Sequence, residues 1–157
     1  MTKSIDQLRR DAKALRKAHE TGDMIARQRI AAVKPRDGDL RHADYLHVIA
    51  REHGFASWPK LIFAAEMHGL DRAALRQRLI VALFHGQNWR VEQLLAANPG
   101  LARGDFHLAC ALLDRKTVAD ALRAEPALAT TPSSGRRPIV WLASSRRIQT
   151  HPELEDD

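Results

Sequence analysis

Residues 79–103 read LIVALFHGQNWRVEQLLAANPGLAR, and residues 108–130 read LACALLDRKTVADALRAEPALAT. The second stretch repeats the plan of the first: a short apolar helix, a polar turn, a Val, an apolar pair, a Pro and then Leu-Ala. Val91 answers to Val118, Leu95 to Leu122, Pro99 to Pro126 and Leu101 to Leu128, each 27 residues on. A unit this short cannot bury its own apolar face, so copies must stack on one another. The spacing predicts an all-α chain of consecutive antiparallel helix pairs. Leu79, Leu83, Val91, Leu94, Leu95, Leu108, Ala111, Leu112, Val118 and Leu122 are expected to face inward.

Working outward, helical punctuation continues in both directions. Ser4 with Gln7 forms a capping-box pattern ahead of Ile5, Leu8, Ala12 and Leu15, which share a helix face. Gly22-Asp23 breaks that helix, and Asp23 can cap the next. Residues 35–39 are turn formers, and helical spacing resumes at Ala43, Leu46, Ile49 and Ala50 until Gly54. Ser57 precedes Trp58-Pro59 as a helix start. Gly69, Asp71 and Gly86 bound a longer helix, and Asn88, Asp105 and Thr117 are candidate caps for the three that follow. No stretch alternates polar and apolar long enough to read as a strand.

Fainter copies of the unit lie upstream. Residues 48–54 followed by Trp58 and Leu61 repeat its helix, Gly turn and second helix, and Ala14-Leu15 with Gly22-Asp23 and Ile30 repeat it more weakly. The chain therefore divides into a helical region of degenerate pairs at 1–70, divergent repeats at 71–147 and an acidic tail at 148–157. A further unit opens at residues 138–143 without a second helix. Trp141 and Leu142 are accordingly expected to cover the previous unit on one side and to lack a neighbour on the other. That expectation implies either a longer array or self-association through this end, with the tail mobile beyond Thr150.

The chain has 157 residues and 45% hydrophobic content, enough for a core without staples. Its net charge of +6 hides an asymmetry: four of the 19 acidic residues fall in the last five positions, which leaves the preceding body at +10. Such a balance suits an acidic protein partner or nucleic acid, and equally a soluble Arg-rich surface. The single cysteine excludes an internal disulfide. The N-terminus lacks the apolar core of a secretory signal, and the longest apolar runs have six residues, far below a membrane span. A cytoplasmic protein without a membrane partner is expected.

Few residues suggest chemistry. His42, His47 and His53 are spaced by five and six positions and share no helix face, so no metal site is expected, nor any cofactor. Cys110 sits in an apolar run as a small hydrophobe. Trp58 and Trp141 read as core. Trp89, beside Arg90 at a turn, reads either as packing on the preceding unit or as an exposed partner contact.

Phe106-His107-Leu108-Ala109-Cys110-Ala111 with Val118 and Leu122, preceded by Gly86, Val91, Leu94 and Leu95, resembles the ankyrin-repeat family. Arg136-Arg137-Pro138-Ile139 is similar to a weakened T-P-L start. The stretch from Ala50 to Leu61 resembles a helical region that precedes ankyrin repeats in many bacterial proteins. The resemblance implies a right-handed helical-repeat solenoid of antiparallel helix pairs that works as a non-catalytic protein-protein interaction module.

On that basis the expected contact set is drawn from the turn tips: His85, Gln87, Trp89 and Arg90 in one unit, Arg115 and Lys116 in the next, Arg136 and Arg137 in the third. Three turns bearing Arg or Lys would make a basic edge for an acidic protein partner. The alternative is a nucleic-acid binder using the same edge. No constellation of residues supports an enzyme.

Overall fold

The computed structural model of the chain describes residues 3–34, 39–149 and 151. Among these residues the regular structure is helical, and the one extended pairing is an isolated bridge between Ser133 and Arg136. The α-helices are α1 (Ile5–Glu20), α2 (Met24–Val33), α3 (His42–Glu52), α4 (Trp58–Met67), α5 (Arg72–Phe84), α6 (Asn88–Ala97), α7 (Phe106–Leu112), α8 (Arg115–Ala124) and α9 (Pro138–Ala143). Short 3-10 turns occupy Pro126–Ala129 and Arg147–Gln149. The chain forms two compact units, Met1–Gly69 and Leu70–Asp157. The expected mobility beyond Thr150 falls almost wholly outside the described residues.

Local chemistry accounts for most helix starts. Ser4, Asp23, Asp71 and Asp105 each accept the backbone N–H three residues on, which satisfies a donor that the first turn leaves unpaired. Two expected caps shift. Gln87 rather than Asn88 precedes α6, and Asn88 lies inside it. Asp114 rather than Thr117 caps α8, accepting both the Thr117 N–H at 3.0 Å and the Thr117 hydroxyl at 2.7 Å. A carboxylate two residues into a turn outcompetes the threonine hydroxyl as acceptor, and Thr117 becomes the donor. Ser57 flanks α4 without a side-chain cap, its place taken by Pro59, whose ring presets the helical φ.

The same helix end occurs four times. Gly22 N–H donates to His19 O and Asp23 N–H to Ala18 O. The pattern recurs as Gly54 to Arg51 with Phe55 to Ala50, as Gly86 to Leu83 with Gln87 to Ala82, and as Leu113 to Cys110 with Asp114 to Ala109. This is the Schellman pattern, which needs a left-handed residue after the helix. Gly54 (φ 82°) and Gly86 (φ 63°) adopt that conformation freely, whereas the fourth turn forces Leu113 into it at φ 59°. The alanines accepting the longer bond stand 32, 32 and 27 residues apart, so the same helix end recurs in both units.

Helix length explains the short final interval. The caps Asp71 and Asp105 lie 34 residues apart and Asp105 and Arg137 lie 32 apart. Yet α5 has 13 residues and α7 only 7, so the turns that follow them draw closer. The 27-residue offset is the distance between second helices, not between helix pairs.

Each unit packs in the same way. In the first, α1 lies against α2, α3 and α4, and α3 against α2 and α4. Leu8, Ala12, Leu15, Ile30, Val48, Ile49 and Leu61 are buried there, and the buried Tyr45 places its hydroxyl 3.0 Å from His19 Nδ1. In the second, α5 pairs with α6 and α7 with α8, while the leading helices meet one another, α5 on α7 and α7 on α9. Leu79, Leu83, Val91, Leu94, Leu108 and Ala111 are buried as expected. Leu95, Leu112, Val118 and Leu122 are only half-buried. The amphipathic α8 leans on α7 and the Pro126–Ala129 turn and buries no residue fully, because one covered side cannot enclose a helix.

Side chains of the leading helices fasten the loops that return from the second helices. Arg72 donates to Gly100 O at 2.7 Å, and Arg76 donates to Leu101 O at 2.8 Å and Arg103 O at 2.7 Å. In the next pair His107 Nε2 performs that task, 2.8 Å from Thr131 O.

Candidate binding surface at the α5–α6 turn

The turn from α5 into α6 is built by Gly86, whose left-handed φ reverses the chain so that Gln87, Asn88, Trp89 and Arg90 project from the first turn of α6. Gln87 Oε1 accepts from Arg90 Nη1 at 2.9 Å, and the Arg90 guanidinium stands 5.2 Å from the centre of the Trp89 ring. Trp89 remains 36% exposed, with the Arg90 guanidinium beside its ring.

The end of the chain comes back to this turn. Arg146 packs so closely on Gly86 that an added Cβ would sit 2.6 Å from its Cδ. Asn88 Nδ2 donates to Arg146 O at 3.0 Å. Arg147, 13% exposed at its side chain, donates to Glu92 Oε1 at 2.6 Å, and His151 Nε2 lies 3.3 Å from that oxygen. From the same segment Arg136 lays its guanidinium 4.9 Å over the Phe84 ring, next to the α5 cap His85. Four arginines (Arg90, Arg136, Arg146 and Arg147) thus come to one turn, and Glu92 is a carboxylate that pairs with Arg147 there.

Of the expected contact residues, His85, Gln87, Trp89, Arg90 and Arg136 belong to this neighbourhood. Arg137 caps α9 and is exposed. Arg115 and Lys116 open α8 and stand apart; Lys116 reaches toward Asp120 at 3.9 Å. The linear reading missed Asn88, Glu92, Arg146, Arg147 and His151 as site residues. Nothing in sequence joins Asn88 to Arg146 across 58 positions, because the pairing depends on where α9 docks.

That docking also corrects the expectation for Trp141. The ring is 2% exposed, with its centre 5.2 Å from Phe84 on α5 and 5.7 Å from His107 on α7. It fills the space between two leading helices and does not lack a neighbour. Ile139, at 65% exposure, and Leu142 remain on the outer side of α9.

Elsewhere α1, α2 and α3 enclose a cleft of about 440 Å³ floored by Leu15, Ala26 and Ile49. Its rim charges close on each other, Lys3 on Asp11 at 2.6 Å and Arg29 on Glu52 at 2.7 and 2.8 Å. The Lys3 hydrogen bond, with help from Gln7, holds the Asp11 carboxyl below its ordinary value. Cys110 is buried and free, and desolvation pushes its thiol pKa up, the opposite of what a nucleophile needs. Among the described residues no three His, Cys, Asp or Glu side chains converge as a metal site, and no helix is long and apolar enough to cross a membrane.

No family model matches the chain, and neither the curated proteins nor the solved structures contain a significant match to it.

Proposed function

We propose that this chain is a non-catalytic protein-binding module, a right-handed ankyrin-like solenoid whose α5–α6 turn takes an acidic segment of a partner protein. The observation that carries the reading is the placing of Arg90 beside the exposed Trp89 ring, Arg136 over Phe84, Arg146 against Gly86 and Arg147 on Glu92, all at the α5–α6 turn. A planar guanidinium pairs with a carboxylate through two parallel hydrogen bonds, and an aromatic ring beside it supplies apolar contact without a deep pocket. The solenoid part of the proposal rests on four identical helix ends at near-regular spacing and on leading helices that meet leading helices in each unit.

The charge of the body also suits a nucleic acid, with Trp89 as a stacking platform. One titration separates the two classes. A fluorescein-labelled oligoglutamate peptide and a labelled random single-stranded oligonucleotide are added at low ionic strength to the protein and to the double variant Arg136→Glu/Arg146→Glu. Peptide binding that weakens about tenfold or more in the variant, in the range of charge pairs at an interface, supports the reading. Tighter binding of the oligonucleotide, falling steeply with salt, replaces the protein partner by nucleic acid. Equal peptide affinity in both proteins removes the arginine cluster from the function.

A further inference from the structure

The outer side of α9 has the composition of a packed face but stands open. Pro138 and Trp141 turn inward, whereas Ile139, Leu142 and Ala143, spaced i, i+3 and i+4, share an exposed stripe with Val140 at its margin. The helix caps Asp105 and Arg137 lie 32 residues apart, so Ile139, Val140 and Leu142 stand where α7 has His107, Leu108 and Cys110. Those three α7 residues are at most 8% exposed, because α5, α8 and α9 enclose that helix. Their counterparts on α9 are 65%, 41% and 45% exposed, and α9 packs chiefly on α7 and the Pro126–Ala129 turn. Apolar side chains grouped in this way mark an interaction surface.

Two further observations define what fits there. Leading helices seat on leading helices, α5 on α7 and α7 on α9, so the side that α9 turns outward is shaped to take another helix. Residues 126–149 contain no Asp or Glu, while the exposed Arg136 and Arg137 lead into α9 and the exposed Arg146 follows it. A second copy docking α9 on α9 would bring arginine toward arginine in either direction, which disfavours that occupant.

We infer that the outer stripe of α9 docks an amphipathic helix of a partner protein, one whose apolar ridge is bordered by Asp or Glu. Ile139 and Leu142 supply the apolar contact, and Arg137 sets the sign of the rim, where charges select partners and speed encounter. The inference goes beyond the reading of the α5–α6 turn and stands without it. It uses other residues, and its partner needs a helical apolar ridge, which an acidic segment alone does not offer.

The probes are two labelled peptides of about 20 residues, long enough to hold a helix. One carries leucines at i, i+3, i+4 and i+7 bordered by glutamates on an alanine background, and its twin has lysine at every glutamate. Both are titrated into the full chain, into Ile139→Ser/Leu142→Ser and into Arg137→Glu, with circular dichroism to check folding. The single variant Ile139→Ser, at the most exposed position, replaces the double one if that loses its fold. The glutamate peptide should bind the full chain, and bind Ile139→Ser/Leu142→Ser more weakly by on the order of tenfold. Arg137→Glu should weaken it severalfold, and the lysine twin should bind the full chain less well. Oligoglutamate affinity should be the same in the apolar variant and the full chain. Glutamate-peptide binding that survives the apolar substitutions, or that oligoglutamate displaces, would place the peptide on the α5–α6 arginines and overturn the inference. Failure of both peptides to bind would overturn it as well. Self-association in sedimentation that the apolar substitutions abolish would replace the partner helix by a second copy. A chain that binds the glutamate peptide as expected but not oligoglutamate would keep the α9 surface and overturn only the reading of the α5–α6 turn.

Discussion

His107 Nε2 lies 2.8 Å from the carbonyl oxygen of Thr131, which ties the first turn of α7 to the loop that leaves α8. A carbonyl only accepts, so Nε2 carries the proton and the neutral ring is the Nε2–H tautomer. The same ring stands edge-on to Phe106 and tilted against Trp141. One side chain therefore anchors a loop and lines the site where α9 docks.

His107→Ala is expected to cost about 2–4 kcal/mol, since it leaves a carbonyl without its donor and a gap beside Trp141. Urea denaturation checks the magnitude, and nitrogen chemical shifts of the ring in the unaltered protein check the tautomer. A loss below about half a kcal/mol would show the loop to be held by other contacts.

Glycine replacement separates backbone strain from crowding. At Gly54 an added Cβ meets nothing within 4 Å, so Gly54→Ala should cost only the left-handed penalty of about 1–2 kcal/mol. Gly86→Ala carries that penalty and must also push Arg146 aside. It should be the more damaging of the two and should shift the Asn88 side-chain amide resonances, whereas Gly54→Ala should leave them unchanged.

Trp141 presents an opposite case. Its Nε1 is buried with no hydrogen-bond partner among the described residues. Trp141→Phe removes that unpaired donor while keeping most of the apolar contact, and is expected to cost less than about 1 kcal/mol. Trp141→Ala should cost about 3–5 kcal/mol. Thermal unfolding of both variants distinguishes a ring retained for packing from one retained for its N–H.

The Thr117 N–H and hydroxyl hold the Asp114 carboxyl below its ordinary value of 3.8. A depressed folded value means that its contribution is fully present above the ordinary value and is lost as the pH falls through the folded one. Asp114→Ala should cost about 1 kcal/mol near neutrality, as removal of a helix cap does. The difference from the unaltered protein should shrink in strong acid. A difference that is constant with pH would mean that the cap acts through shape rather than charge.

Cys110 should react slowly with a colourless aromatic disulfide in the native protein and rapidly in denaturant, because the thiol is buried and desolvation disfavours its thiolate. Fast native reaction would place it on an open surface.

Helix periods, most caps and the repeated helix-turn-helix plan were legible in the linear chain, because each depends on residues within one or two turns of one another. Ala-x-x-x-Gly at residues 50–54 and 82–86 already specifies the helix end, and Asp71 and Asp105 specify starts, since a carboxylate three residues before an unpaired N–H needs no distant help. Even the fourth turn, where Leu113 replaces glycine, follows its neighbours, because Asp114 and the packed α7 impose what glycine permits elsewhere. The candidate surface is of another kind. Arg146 and Arg147 lie beside Asn88 and Glu92 only because Trp141 finds space between Phe84 and His107, three rings far apart in sequence. Local propensity encodes helices and their ends; which groups meet across 58 residues is decided by how α9 fills the cavity that the other leading helices leave.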